Sequence, residues 1–279
     1  MPDITAEMVR SLREKTDLPM MDCKKALTEA NGNEEQAIKI LKERVKNFIM
    51  KSGDRVTSEG RVATLTAKDG SSAVMIEVQC ESAPVSRSED FVFLCDQLTK
   101  QLLNGPGAAS PEALIAQPAP DKPGTTLGGI IEDCMNRLRE KLVVARILKL
   151  DGPVVGYTHH DGTLGVLLRA TGDKPTADVL KDVAMHIAAL NPKFCLSDEM
   201  DPAIVAAEKE KEVAEAKKSG KPDSIIEKIV AGKMRVFFAK EGVLVDQPFA
   251  KDDSKSVEKA LADSGLKAVS FTRWRLGQP

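Results

Sequence analysis

Aromatic residues are scarce: Phe, Trp and Tyr make up 4% of the 279 residues, with one Trp and one Tyr. A surface that stacks bases needs a row of aromatic platforms, so no direct nucleic-acid partner is expected. The net charge of −2 also speaks against a broad phosphate-binding face. There are three histidines. His159 and His160 adjoin in a loop-like stretch without further ligands at metal spacing, so no metal site is expected. The five cysteines, Cys23, Cys80, Cys95, Cys134 and Cys195, lie far apart and form no C-x-x-C pair. They read as reduced thiols of a cytoplasmic chain. No apolar run approaches the roughly 18 residues that cross a bilayer. Met1-Pro2-Asp3-Ile4 has no signal pattern, and no membrane partner is expected. Gly124-Thr125-Thr126-Leu127-Gly128-Gly129 lacks the G-K-[ST] ending of a phosphate loop, so neither a nucleotide site nor a cofactor is expected.

What is present is well-formed helix and strand punctuation. Thr5 is placed to cap a helix with Met8, Val9 and Leu12 on one side, ended by Asp17-Leu18-Pro19. Asp22 is placed to cap a second helix, stopped by Asn31-Gly32. Asn33 and Gln36 form a capping-box-like start for a third, whose apolar side is Ala37, Ile38, Leu41 and Val45. Met20-Met21 falls in the turn before the second helix. Unbranched Met suits an adaptable contact surface, and one side chain is expected to point inward and one outward.

Arg61 to Ala67 and Val74 to Cys80 read as strands joined at Lys68-Asp69-Gly70-Ser71. Glu81 to Arg87 reads as a short strand-to-helix loop with Pro84 at its tip, Ala83 held extended, and Ser88 as the next N-cap. Phe91, Leu94, Cys95, Leu98 and Leu102 then keep helical spacing, a short helix is expected near Glu112 to Ile115, and another from about Leu127 to Lys141. Val143 to Leu150, Val154 to Tyr157 and Leu164 to Leu168 read as one antiparallel sheet. Val179, Leu180, Val183, Ala184, Ile187 and Ala188 mark the inner side of a helix from about Thr176 to Leu190, where His186 reads as a satisfied core residue. Asp201-Pro202 starts a polar helix that breaks at Ser219 to Asp223, and its return helix carries Ile226, Ile229, Val230, Met234 and Phe237. A final helix, Val257 to Ser264, and a strand through Val269, Phe271 and Trp274 close the chain. The expected fold class is α+β and multidomain. A three-helix bundle occupies 1–54, one α+β subdomain 55–141, and a second 142–279 with a projecting helical hairpin inserted at about 201–240.

Leu12-Arg13-Glu14-Lys15-Thr16-Asp17-Leu18-Pro19-Met20-Met21-Asp22-Cys23-Lys24-Lys25-Ala26-Leu27-Thr28-Glu29-Ala30-Asn31-Gly32 resembles the opening of bacterial translation elongation factor Ts. Arg55-Val56-Thr57-Ser58-Glu59-Gly60, Ser219-Gly220-Lys221-Pro222, Gln247-Pro248-Phe249 and the helix around His186 are similar to the same family, and the resemblance covers nearly the whole chain. Pro19 departs from it, standing where the family usually has Gly or Ser. The resemblance implies a UBA-like first domain and a guanine-nucleotide exchange factor without enzymatic chemistry of its own. Its partner would be elongation factor Tu, bound as the GDP complex and held nucleotide-free until GTP returns. It implies partner-binding roles for Met20, Met21, Lys24, Leu164, Gly165 and His186, and a homodimer through the hairpin in some settings. It also implies that Ser82, Ala83, Pro84 and Val85 form a magnesium-dislocating loop. The family's loop usually reads Gln/Glu-Thr-Asp-Phe-Val, so Ala83 has lost the acid and Pro84 replaces the aromatic wedge. The further C-terminal helical module that some family members carry is expected to be missing. Two other classes compete with this reading: a hydrolase using Cys195 or Cys80 with His186, and a ubiquitin-type adaptor or chaperone built on the bundle and hairpin.

Overall fold

The structure, a computed structural model, describes residues 4–16, 18–51, 53–174, 176–218 and 221–278. Asp17 and the Ser219-Gly220 turn lie outside the described residues, as does the side chain of Val45. The chain is mixed helix and antiparallel sheet. It divides into two units: Met1–Arg61 with Ile76–Ile147, and Val62–Met75 with Leu148–Pro279.

The first unit opens with α1 (Ala6–Thr16), α2 (Met20–Glu29) and α3 (Glu34–Lys51). Their core is Val9, Leu12, Leu18, Cys23, Ala26, Leu27, Ala30, Ala37 and Leu41. The local signals do their work. The Thr5 hydroxyl accepts from the Met8 amide, and the Asn33 side chain from the Gln36 amide at 2.9 Å. Asn31 and Gly32 take φ of 50° and 83°. The Gly32 amide donates back to the Leu27 carbonyl and that of Asn31 to Thr28, the Schellman pattern that ends a helix. One start differs from expectation. Pro19, fixed in an extended conformation, is the N-cap, so α2 begins at Met20 and Asp22 sits inside its first turn. With φ locked by its ring, Pro19 can lead into a helix but not lie within it.

A three-stranded sheet orders β1 (Glu59–Thr66), β2 (Ser72–Cys80) and β3 (Val143–Asp151) side by side. The reading of Val143 to Leu150 as part of the following sheet is corrected: β3 belongs with β2, since a run of β-branched residues does not name its neighbour. Glu77 on β2 is buried, and Arg146 on β3 donates to it at 2.7 and 2.9 Å. Around these strands stand α4 (Ala83–Ser86), α5 (Glu89–Asn104), α6 (Pro111–Ile115) and α7 (Leu127–Leu138). Helix α5 buries Phe91, Leu94, Cys95, Leu98 and Leu102, the side its spacing marks out.

The second unit continues with β4 (Val154–Thr158), β5 (Leu164–Gly172) and α8 (Asp178–Leu190), then the helical hairpin α9 (Pro202–Lys217) and α10 (Asp223–Glu241). A two-residue β6 (Pro248–Phe249) pairs with β7 (Asp252–Ser256), followed by α11 (Val257–Ala262) and β8 (Leu266–Arg275). The sheet order is β4-β5-β8, all antiparallel. Leu180, Val183, Ala184 and Ile187 of α8 share one core with Val166, Leu168 and Ala170 of β5. In the hairpin, Asp201 caps α9 and Pro202 takes the first helical position. Ile226, Val230 and Met234 pack against Ala216, with Val205 and Val213 alongside.

Gly165, the second residue of β5, has no room for a side chain. A Cβ there would lie 2.5 Å from Val62 Cγ1 and 2.8 Å from Met75 Sδ. The thioether can yield, but the branched Val62, fully buried in its own cluster, cannot swing away. Gly165→Ala is expected to lose about 1–3 kcal/mol of stability. The readout is the urea midpoint by circular dichroism, and an unchanged midpoint would reject the close-packing account.

Candidate functional site

Two exposed features of the first unit carry candidate residues. The first is the opening turn of α2. Met20 and Met21 are 48% and 63% exposed, so neither points into the bundle and the inward–outward split is corrected. The α2 pattern explains it: Cys23, Ala26 and Leu27 fill the inner side, and positions 20 and 21 start the turn outside that stripe. Lys24 is exposed one turn after Met20.

The second is the segment after β2. Ser82 to Val85 is not an extended loop; Ala83–Ser86 forms one helical turn, α4. Pro84 falls in the first turn, where an amide hydrogen would have no helical acceptor, so its ring is tolerated, and Ala83 takes a helical conformation against the extended bias of a residue before proline. Pro84 is exposed, and Ser82, Ala83 and Val85 are half-buried. The Ser86 hydroxyl donates to the Ala83 carbonyl at 2.9 Å and closes the turn. Ser88 then caps α5, accepting from the Phe91 amide.

The turn is held from a distance in sequence. The carboxylate of Glu140 accepts from the Glu81 amide at 3.1 Å, the Ser82 amide at 3.0 Å and the Ser82 hydroxyl. In return the Glu81 carboxylate accepts from the Lys141 amide at 2.7 Å and from Arg55 at 3.1 Å. The Lys141 amide bond, with Arg55 next to it, holds the Glu81 carboxyl below its ordinary value. Helix α7 ends at Leu138 rather than running to Lys141, because Arg139 turns left-handed at φ 59°. The Arg139 side chain pairs with Asp22 in the first turn of α2, and both Arg139 and Arg55 lie over the Phe48 ring of α3. Neighbouring residues, Arg139 and Glu140, therefore reach the two exposed features separately. Neither residue was marked by the sequence. Both fall in the last turn of a helix that the sequence alone carries on to Lys141, and the partners of Glu140 and Arg139 are 58 and 117 residues away.

The other three candidates lie in the second unit, and all are buried. Leu164 and Gly165 begin β5, and His186 on α8 is 1% exposed. The Ala250 amide can only donate, so His186 Nδ1 accepts from it, at 3.1 Å. The proton then sits on Nε2, which donates to Gln247 Oε1 at 2.9 Å. Burial pushes the imidazole below its ordinary value, with the Gln247 bond partly opposing. The core reading of His186 from residues alone describes this environment.

The Cys–His hydrolase alternative fails on this geometry. Both His186 nitrogens are engaged by Gln247 and Ala250. Burial, with Glu199 nearby, pushes the Cys195 thiol up to about 12, and burial with Glu140 pushes Cys80 up to about 11. All five cysteines are buried. The native chain is expected to resist a thiol reagent at about pH 7.5 and to release all five thiols on denaturation. A fast-reacting native thiol would contradict the packing. His186 makes a second expectation. The folded site refuses a proton that the unfolded chain accepts near pH 6.5, so its contribution to stability is full above that value and declines as pH falls below it. The denaturation midpoint should fall more steeply on acidification from about pH 7 in the parent than in His186→Gln. Equal slopes would remove His186 from the account.

Known proteins extend the comparison to the whole chain. The family profile described as Elongation factor TS matches residues 84–278, starting within α4 and running through β8. A protein named Elongation factor Ts from Thiobacillus denitrificans is 39% identical over 100% of this chain and 93% of its own length. One from Hyphomonas neptunium is 37% identical over 100% of this chain and 93% of its own. One from Streptomyces ramocissimus is 35% identical over 99% of this chain and 100% of its own. Agreement at this level, end to end, takes in the bundle, the sheets and the hairpin alike, and the chain belongs to the elongation factor Ts family of translation elongation factors.

Proposed function

We propose that this chain binds elongation factor Tu in its GDP form and speeds GDP release by disturbing the magnesium and phosphate site. The nucleotide-free GTPase would then be held until GTP rebinds. The observation that carries this reading is the pair of exposed features in the first unit, Met20-Met21 and Pro84, each fixed to one end of the Arg139-Glu140 joint. Exposed, unbranched methionines adapt to an apolar groove, and Lys24 on the same side of α2 adds a cation beside them. A rigid, exposed proline on a one-turn helix is a small wedge. The work is thermodynamic linkage: a factor that binds the empty GTPase better than the GDP complex must weaken GDP by the same ratio.

Ala83 carries no charge with which to move a magnesium ion or its ligands, and Pro84 fills less volume than the family's Phe. The exchange work would therefore shift towards Met20-Met21, Leu164-Gly165 and His186. The two methionines act by contact. Leu164, Gly165 and His186, being buried, act as positioning residues for the β5 and α8 surfaces above them.

Stopped-flow release of labelled GDP from elongation factor Tu tests this. The parent chain should accelerate release, and Met21→Ala should reduce the acceleration by about tenfold, as for a central contact residue. His186→Ala should also cost more than Pro84→Ala, which should cost less than about threefold, as for a peripheral contact. Unchanged release at saturating chain would end the proposal. A larger loss from Pro84→Ala than from either of the others would reverse the division of labour.

A further inference from the structure

We infer that Arg139 and Glu140 are positioning residues that couple the Met20-Met21 turn to α4, so that the two contact features respond as one element. The inference deepens the exchange reading and rests on it for its functional part, but its structural part can be tested alone.

Three observations carry it. First, α4 does not cap itself: the Ser82 side chain makes no cap bond to the turn. Its hydroxyl and amide, with the Glu81 amide, are all taken by the Glu140 carboxylate. The orientation of Pro84 therefore depends on a residue 56 positions later in the chain. Second, Arg139 holds a left-handed conformation that a β-carbon disfavours. Glycine would relieve it, yet arginine's side chain is in use, paired with Asp22 and lying over Phe48. Third, the two residues are adjacent, so the backbone turn that aims Arg139 at α2 also aims Glu140 at α4. Glu81 locks the joint from the other side through the Lys141 amide, and Lys141 Nζ donates to the Gly53 and Arg55 carbonyls at the end of the bundle. Moving α2 would pull on Arg139, and with it on the carboxylate that sets the turn.

Amide hydrogen exchange of the free, full chain tests the coupling, with Glu140→Ala and Asp22→Asn as variants. In Glu140→Ala the amides of 81–88 should lose protection about tenfold, the equivalent of one charge-assisted bond. Asp22→Asn leaves Glu140 in place. It should nonetheless raise exchange at 81–88 by at least about threefold, while the hairpin amides of α9 and α10 stay unchanged. Loss in Glu140→Ala alone would overturn the coupling, and loss in neither would overturn the clamp as well. In the GDP-release assay, Glu140→Ala should lower the maximal release rate more than it raises the concentration for half-maximal effect. The methionines still dock while the wedge is misplaced. A purely structural role would raise the concentration for half-maximal effect in proportion to unfolded chain and leave the maximal rate unchanged. If the parent chain fails to release GDP but the hydrogen-exchange pattern holds, the clamp stands and the exchange reading falls.

Discussion

A one-turn helix leaves almost all of its amides without helical partners and cannot fix its own position, and the two residues that lead into α4, Glu81 and Ser82, are anchored by a borrowed carboxylate. Nucleating an isolated helical turn is unfavourable by about 4 kcal/mol. Hydrogen bonds to a charged group contribute about 1.5–3 kcal/mol each. The three donors gathered by Glu140 are of the size needed to hold Ala83–Ser86 in place. Glu81 returns the same service to the Lys141 amide. The two segments are thus closed by reciprocal bonds, each acid satisfying backbone that the other's turn leaves open. Without this exchange the stretch from Glu81 to Ser88 would be the connector that its composition suggests, and Pro84 would have no defined direction.

Most of the secondary structure was readable because its causes are local. Thr5, Asn33, Ser88 and Asp201 each satisfy an amide two or three residues ahead, and the sequence displays both donor and acceptor. The inner faces of α5, α8 and α10 follow from spacing alone. The readings that failed have causes outside the segment. The start of α2 moved because Pro19 supplies the entry conformation and Asp22 is occupied by Arg139. Strand β3 joined β2, where buried Glu77 needs Arg146, a pairing no local window contains. The turn at 83–86 follows Glu81 and Ser82, which Glu140 anchors from 59 and 58 residues away. Resemblance to the family located the candidate surface, but it carried no account of what fixes the surface in this chain.

The candidates divide by burial, and burial decides what each can do. Met20, Met21 and Pro84 present apolar surface to solvent with nothing in the fold requiring it. Such residues lower their free energy only when something covers them. Gly165 and His186 have the opposite character. One is required by the approach of Val62 and Met75, the other by a neutral imidazole bonded on both sides. A substitution at either would disturb the fold before it reached a partner. Loss of activity there cannot by itself be read as loss of contact, whereas at Met21 it can.

The same reasoning explains the left-handed arginine. A non-glycine residue at φ near 60° costs about 1 kcal/mol or more. That cost persists only where the surroundings impose it. The Asp22 pair and the Phe48 ring do so for Arg139. An exposed ion pair contributes at most about 1 kcal/mol, so the pair alone barely offsets the strain. Coverage of Phe48, together with the Glu140 bonds that the turn makes possible, is what tips the balance towards keeping the kink. The helix α7 therefore stops where it does less from any breaking residue of its own than from what its next two residues must hold.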